Sequence, residues 1–202
     1  MDSTKKKRKK NTRGLIIKTA LECFSKDGVA NTTVSSIATK AKIPHTLILY
    51  HFPNMESLYY EAILLLLNNI NKFSLAAIEK KIKSPRKALD AYALAYFEWL
   101  KRYPNEASIW VFFYSLTVGS PKFRHLNDNI REEGRNRISN LLFEAIAKKE
   151  ISQTQVDKVP DLAYDIQSTI TGTCILACTE SKLSIERASK SCLRQISLIL
   201  SK

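Results

Sequence analysis

The fold of the first quarter of the chain is decided by the stretch TVSSIATKAKIPHTLILYHF at residues 33–52. Its first residue, Thr33, is a suitable N-cap, because a threonine hydroxyl accepts a hydrogen bond from a backbone N–H of the first helical turn. The stretch predicts helices at 34–41 and 45–51, joined by a turn around Lys42. This spacing is that of a helix-turn-helix, in which one helix braces a second that enters the major groove of DNA.

Helical periodicity continues through the rest of the chain. Apolar residues recur every three or four positions, as at Ile16, Ala20 and Phe24, and no alternating run bounded by hairpin turns stands out. Gly28 is expected to close the first helix and Asn54 to cap the fourth. Proline is disfavoured inside helices, so the six prolines mark boundaries. We therefore expect an all-α fold of about nine helices, at residues 13–27, 34–41, 45–51, 55–81, 85–103, 105–118, 121–149, 157–180 and 184–200.

The composition is basic and carries no common catalytic motif. Lys and Arg number 32 against 19 for Asp and Glu among 202 residues, which gives a formal net charge of +13 and a surface that attracts polyanions. The five glycines are too far apart to form a phosphate-binding loop, and the histidines and serines lie in none of the common catalytic motifs. The sequence therefore predicts neither an enzyme nor a bound cofactor.

Cysteine content and hydropathy favour a cytoplasmic protein. Four cysteines without a secretory signal do not indicate a disulfide framework, so a reducing compartment is expected. Cys174 and Cys178 share a helical face, but zinc normally needs three or four protein ligands, so packing is preferred to a metal site or a redox-sensing thiol. The longest apolar stretch, residues 109–118, is about half of the roughly 20 residues that a membrane span requires, and no membrane partner is expected.

A longer register of residues surrounds the helix-turn-helix: Arg13, Ile16, Ala20, Phe24, Gly28, Thr33, Ile37, Ala38, Ala41, His51, Phe52, Glu56 and Leu58. In its spacing it resembles the N-terminal domain of the TetR/AcrR transcriptional regulators. The resemblance implies a helix-turn-helix DNA-binding domain at 13–58 and a larger helical effector-binding and dimerisation domain at 59–202.

The resemblance also implies which residues contact double-stranded operator DNA. The start of a recognition helix meets base edges, whereas residues near its end can donate to phosphates. Ile48 is expected to face inward, and His51 could equally be a partly buried packing residue. The candidate DNA-binding residues are Thr33, Lys42, His45, Thr46, Leu47, Tyr50 and His51.

The sequence departs from the family's usual residues, which are glycine at Lys42 and Thr46, tyrosine at Leu49 and lysine at Met55. Leu49 and Met55 cannot make the phosphate contacts of a tyrosine and a lysine. A flexible basic arm at residues 1–12 is expected to supply such contacts instead, with a solvated tail or a nuclear import signal as alternatives. The candidate backbone-contacting residues are Lys5, Lys6, Lys7, Arg8, Lys9, Lys10 and Arg13.

Aromatic residues cluster in the middle of the chain. Half of the aromatic residues fall between positions 92 and 114, and they could line a pocket for a planar or hydrophobic effector, with Glu98 as a polar contact. Ordinary core packing is the alternative. The candidate pocket residues are Tyr92, Tyr96, Phe97, Trp99, Trp110, Phe113 and Tyr114.

The last two predicted helices carry stripes of apolar or small residues. Two such helices from each subunit could form a four-helix bundle across a two-fold axis, while intrachain core is the alternative. The candidate interface residues are Ile166, Ile170, Cys174, Cys178, Ile185, Cys192, Ile196 and Ile199.

Together these features predict a homodimeric, ligand-responsive, sequence-specific DNA-binding regulator, a repressor released from DNA by a small hydrophobic or aromatic effector. Two other classes remain open. One is a protein that binds nucleic acid or anionic surfaces without sequence preference. The other is a small enzyme that uses a tyrosine, Glu98 or His125 as acid or base.

Deleting residues 1–10 is expected to weaken DNA binding and to lower its dependence on salt. Each phosphate contact that is lost reduces the slope of log affinity against log salt by about 0.9. Binding isotherms of the full chain and the truncated chain at several salt concentrations measure this slope. An unchanged slope would show that the arm does not touch DNA.

Overall fold

The structure is a computed structural model, which describes the backbone of residues 2–81 and 83–201 and the side chains of 11–81, 83–153 and 155–201. All regular structure in those ranges is helical, so the predicted all-α class is confirmed. Beyond α1, every predicted α-helix boundary lies within two residues of the observed one. The α-helices are α1 (Asp2–Asp27), α2 (Val34–Ala41), α3 (His45–His51), α4 (Met55–Glu79), α5 (Pro85–Arg102), α6 (Pro104–Gly119), α7 (Pro121–Ala147), α8 (Val159–Thr179) and α9 (Ile185–Leu200), with a short 3-10 helix at Gln153–Lys158.

Helix α1 begins at Asp2, whereas the sequence predicted a flexible arm and a helix from Arg13. No proline or glycine interrupts the chain before Gly14, and lysine and arginine are good helix formers, so the helix continues back through the basic run. The arm is therefore corrected to helical backbone. The side chains of Lys5, Lys6, Lys7, Arg8, Lys9 and Lys10 lie outside the described residues.

The chain divides into two compact units. Unit 1 comprises Met1–Asn69 and Asn105–Phe113, and unit 2 comprises Ile70–Pro104 and Tyr114–Lys202. The division therefore falls within α4 and within α6. The division reflects only how compactly the parts of the chain are packed. The assignment of DNA binding to 13–58 and of effector binding and dimerisation to 59–202 therefore stays a prediction.

The first three helices of unit 1 are held by a small apolar core and by local caps. Ile16, Phe24, Ile37 and Ile48 are fully buried. Gly28 ends α1 with a φ of 80°, and its N–H donates to the Phe24 carbonyl at 3.1 Å, as predicted. These contacts set the positions of α2 and α3 against α1.

The caps predicted for α2 and α4 are confirmed. The Thr33 hydroxyl accepts from the Ser36 N–H at 3.1 Å, and the Ser36 hydroxyl oxygen accepts in return from the Thr33 N–H at 3.0 Å. The Asn54 side-chain oxygen accepts from the Ser57 N–H at 2.8 Å. Each cap satisfies backbone donors that would otherwise lack a partner at a helix start.

The turn between α2 and α3 contains a residue in the left-handed conformation. Lys42 has φ 55° and ψ 44°, and the next N–H, that of Ile43, donates to the Ala38 carbonyl at 3.1 Å. Glycine is favoured at such a position because a Cβ atom makes this conformation unfavourable. The turn therefore carries backbone strain at Lys42.

In unit 2, α7 packs against α5 and α8, and α9 packs against α5 and α8. Leu89, Ile138, Ile166 and Ile196 are fully buried in this core. The helices α7 and α8 approach closely at Gly134, where an added Cβ would lie 2.2 Å from the Gln167 Nε2 atom. Only glycine fits there without a shift of Gln167.

In the described part of the chain, one helix, α4, is long and apolar enough by length and composition to cross a membrane. The core helix of a soluble protein passes the same test. Leu58, Ile63 and Leu66 of this helix are fully buried in the fold. We therefore treat α4 as a helix of the folded protein.

Replacing Lys42 by glycine is expected to stabilise the protein relative to Lys42→Ala by about 1 kcal/mol, because glycine relieves the left-handed strain and alanine does not. Both variants lose the same charge, so alanine is the matched control. Urea unfolding followed by circular dichroism measures the free energy of unfolding. Equal free energies of unfolding of the two variants would show that the backbone at Lys42 is not strained.

Candidate functional site

The exposed surface of α3 is the candidate contact with DNA. Ile48 is fully buried and fixes the rotation of the helix, as predicted. His45, Thr46 and Tyr50 are exposed, with 67% of Tyr50 accessible, whereas Leu47 and His51 are half-buried. One face of α3 is therefore anchored, and the other offers an imidazole and two hydroxyl groups to a partner.

The start of α2 adds a second element to this surface. Thr33 is exposed, and its hydroxyl is already used to cap the helix. A phosphate at this point would meet the positive end of the helix dipole rather than the threonine side chain. Lys42, in the turn, is also exposed. The candidate DNA-binding residues whose side chains the structure describes therefore all lie at 33–51, within unit 1.

Arg13 has a structural role that the sequence did not predict. Its guanidinium forms an ion pair with Glu61 of α4 at 2.7 Å and lies 5.2 Å from the ring centroid of Phe52, which follows α3. A second ion pair, between Lys40 and Glu22 at 3.2 Å, joins α2 to α1. These contacts favour a structural role for Arg13 in holding α1 against α4 and the end of α3. Its contact with the DNA backbone stays a prediction.

The two compact units divide the predicted pocket residues. Trp110 and Phe113 belong to unit 1, and the other five belong to unit 2. Three of those five are almost fully buried: Tyr92, Phe97 and Trp99. Tyr92 and Tyr96 lie together, with their hydroxyl oxygens 2.9 Å apart and their ring centroids 5.4 Å apart. Burial raises the pKa of Tyr96, so its hydroxyl stays protonated and can donate.

Three arginines of α7 accompany this tyrosine pair, and the sequence reading missed them. The Arg137 guanidinium lies 5.8 Å from the Tyr92 ring centroid, and that of Arg131 lies 5.3 Å from the Tyr114 ring centroid. Arg135 donates to the Gln167 side-chain oxygen at 3.4 Å. In the sequence, Arg131 and Arg135 could have been singled out because they lie close to residues that α7 buries, such as Gly134 and Ile138.

Another concave region lies at the surface of unit 2. A groove of 810 Å³ follows the connection from α8 to α9 and is lined mainly by polar and charged side chains, among them Glu180, Lys182, Arg187 and Lys190. None of the predicted aromatic residues lines this groove. It does not suit the hydrophobic effector that the sequence predicted.

Most of the predicted dimer-interface residues are core of a single chain. Ile166, Ile170, Cys174, Cys192 and Ile196 are buried between the helices of unit 2. They cannot face a second subunit, so the prediction is corrected to the intrachain alternative. Cys178 is exposed and Ile185 and Ile199 are half-buried, which leaves these three accessible.

Residues 16–62 match the family model described as bacterial regulatory proteins, tetR family. Residues 16–62 therefore form a domain of the TetR type. The match contains all of α2 and α3 with the turn between them. It confirms the resemblance inferred from the sequence, and a domain of this type supports a DNA-binding transcriptional regulator.

Solved structures extend the likeness in fold beyond the TetR domain. A putative transcriptional regulator from Saccharomonospora viridis, in complex with choline, is 20% identical with a TM-score of 0.81, over 93% of this chain and 96% of that one. A TetR transcription regulator from Haloarcula marismortui is 12% identical with a TM-score of 0.80, over 95% and 97%. The multidrug binding protein EbrR, complexed with imidazole, is 18% identical with a TM-score of 0.67, over 90% and 93%. No curated protein sequence matches significantly.

Replacing Arg13 by glutamine is expected to lower the free energy of unfolding by about 0.2–1 kcal/mol, the range for partly exposed ion pairs. It should leave the salt dependence of DNA binding unchanged, because Arg13 pairs with Glu61 in the TetR domain. Lys18→Gln, an exposed position of the same helix, is the charge-matched control and should keep the wild-type stability. Urea unfolding and salt titrations test both points. A salt slope lowered by about one in Arg13→Gln alone would instead support its predicted DNA contact.

Proposed function

We propose that the protein is a sequence-specific DNA-binding transcriptional repressor that responds to a small molecule and acts as a homodimer in the cytoplasm. The observation that carries the proposal is the anchoring of α3 by the buried Ile48, with His45, Thr46 and Tyr50 exposed on the same short helix. In this proposal residues 13–58 bind the operator and residues 59–202 bind the effector and form the dimer.

The proposed reading of DNA uses α3 in the major groove. His45 and Thr46 lie in its first turn, where side chains of a recognition helix reach base edges. Tyr50 stands further along, where its hydroxyl can donate to a phosphate. Leu49 is 42% exposed and offers an apolar side chain to the same surface. Apolar groups can contact the methyl group of thymine, so this helix can combine polar and apolar readout.

A dimer would place two copies of α3 on two half-sites, about 34–36 Å apart for one turn of DNA. Large apolar side chains that remain exposed in unit 2 support such an association. They are Phe143 of α7, Tyr164 and Leu176 of α8 and Leu198 of α9. We therefore propose that the dimer forms through these side chains together with Cys178, Ile185 and Ile199.

Regulation by an effector requires a difference in affinity between two conformations. A small molecule releases the repressor only if it binds better to the conformation in which the two recognition helices are wrongly spaced. Relatives in fold have been solved with choline and with imidazole, which supports small-molecule binding for this architecture. In unit 2 the tyrosine pair Tyr92 and Tyr96 and the arginines of α7 are the polar groups that such a molecule could meet.

The net charge of +13 favours one alternative, a protein that binds nucleic acid without sequence preference. Selection of bound sites from a random DNA pool separates the two functions. A regulator should enrich a two-fold symmetric site that survives competition by excess random DNA at moderate salt. Recovery of unenriched sequences would support non-specific binding instead.

Thr46→Ala is expected to weaken binding to the selected site by about tenfold, through the loss of a base-edge contact, and to leave binding to random DNA unchanged. The matched control is Thr179→Ala, at an exposed position at the end of α8. Fluorescence anisotropy with both DNAs measures the two affinities. Parallel losses on specific and random DNA would contradict base readout by α3.

A further inference from the structure

We propose that unit 2 binds a small organic anion whose carboxylate pairs with Arg131 and whose aromatic or apolar body lies against the neighbouring tyrosines. The proposal deepens the ligand response proposed above and rests on it. It assigns the chemical class of the effector. The feature that carries it is the cluster of Arg131, Arg135 and Arg137 with Tyr92 and Tyr96, which we call the arginine cluster.

Arg131 is fixed in place by its own unit. Its guanidinium donates to the hydroxyl of Thr171 on α8 and lies over the Tyr114 ring, with 5.3 Å from the guanidinium carbon to the ring centroid. Its backbone carbonyl accepts from the Gln167 side-chain amide at 3.0 Å. A charged group held by a hydroxyl and an aromatic face is oriented, but its charge is not neutralised.

The charged side chains that accompany Arg131 in the arginine cluster are arginines. Arg135 adds a second guanidinium near Gln167, and Arg137 places a third beside the Tyr92 ring. Among the described side chains, no carboxylate forms an ion pair with any of these three arginines. The other groups that act on the charge of Arg131 are the phenols of Tyr92 and Tyr96 and the thiol of Cys174, and none of these is a carboxylate.

Burial makes this arrangement unfavourable in the absence of an anion. The pKa of Arg131 is lowered by desolvation, with Arg135 adding repulsion. A charged group withdrawn from water destabilises a protein unless it is paired. A bound carboxylate would supply the missing opposite charge, and it matches the planar fork of a guanidinium with two hydrogen bonds.

The surroundings of Arg131 suit the rest of such a molecule. The hydroxyl groups of Tyr92 and Tyr96 form a hydrogen bond to each other, with 2.9 Å between their oxygens. One hydroxyl donates in this bond, so the proton of the other can be donated to a ligand. The rings of Tyr92, Tyr96 and Tyr114 offer aromatic surface. A cationic molecule would be repelled by three guanidinium groups, and a neutral molecule would leave their charge uncompensated. The cluster therefore selects an anion.

The test uses the full-length protein without DNA and pairs of probes that differ only in charge: benzoate with benzamide, and 3-phenylpropionate with its amide. Calorimetric titration and thermal unfolding at constant ionic strength measure binding. We expect saturable binding of at least one carboxylate, and binding of its amide at least tenfold weaker. Equal responses to acid and amide in both pairs, or no response to any probe, would overturn the proposal.

Arg131→Gln keeps a side chain that can donate to Thr171 but removes the charge. We expect this variant to bind the carboxylate at least tenfold more weakly and, without ligand, to unfold at the wild-type temperature or above. Arg194→Gln, at an exposed position of α9, is the charge-matched control and should bind as the wild type does. A lower unfolding temperature of Arg131→Gln with unaltered carboxylate binding would show that Arg131 only supports the fold.

Failure of this inference is distinguishable from failure of the proposed function. If the protein enriches a specific DNA site but binds no carboxylate, the proposed regulator stands and the proposed anion site is wrong. If the protein binds a carboxylate but enriches no DNA site, the arginine cluster stands as a binding site and the proposed regulation is wrong.

Discussion

The proposed DNA-binding surface of α3 depends on the burial of one side chain. Helix α3 has seven residues, all of which the structure describes, and Ile48 is the one that is buried. A helix this short is not stable alone in water, so its conformation and its rotation depend on tertiary contacts. Burial of a large aliphatic side chain contributes on the order of 1.5–3 kcal/mol, which is large for so small an element. The residues that α3 exposes follow from this single anchor.

The helices and the helix-turn-helix could be predicted because their causes are local. Periodic apolar residues, prolines, the cap at Thr33 and the glycine at Gly28 act within a few positions along the chain. The role of Arg13 could not be predicted in the same way, because its partner Glu61 lies on another helix. A residue that matches a family position can serve the fold as well as DNA, and the sequence alone does not separate these roles.

Unit 2 shows a second limit of the sequence. An apolar stripe at helical spacing indicates that a face is buried, but it does not say whether the same chain or a second subunit covers it. Cys174 and Ile196 are covered within one chain, and the apolar side chains that remain exposed, such as Tyr164 and Leu198, lie outside the predicted stripes. The arginine cluster could not be predicted for a related reason. The number of charges along a sequence does not reveal which of them lack a partner of opposite charge in the folded protein.

The close approach of α7 and α8 at Gly134 limits how unit 2 can change shape. The absence of a side chain there lets Gln167 lie against the backbone of α7, and a methyl group would already be too large. Sliding α7 along α8 would carry the side chains that flank this glycine into the space that Gln167 occupies. Such a movement would therefore require the Gln167 side chain to turn away and to give up its hydrogen bond to the Arg131 carbonyl, which couples the position of α7 to the conformation of one residue of α8.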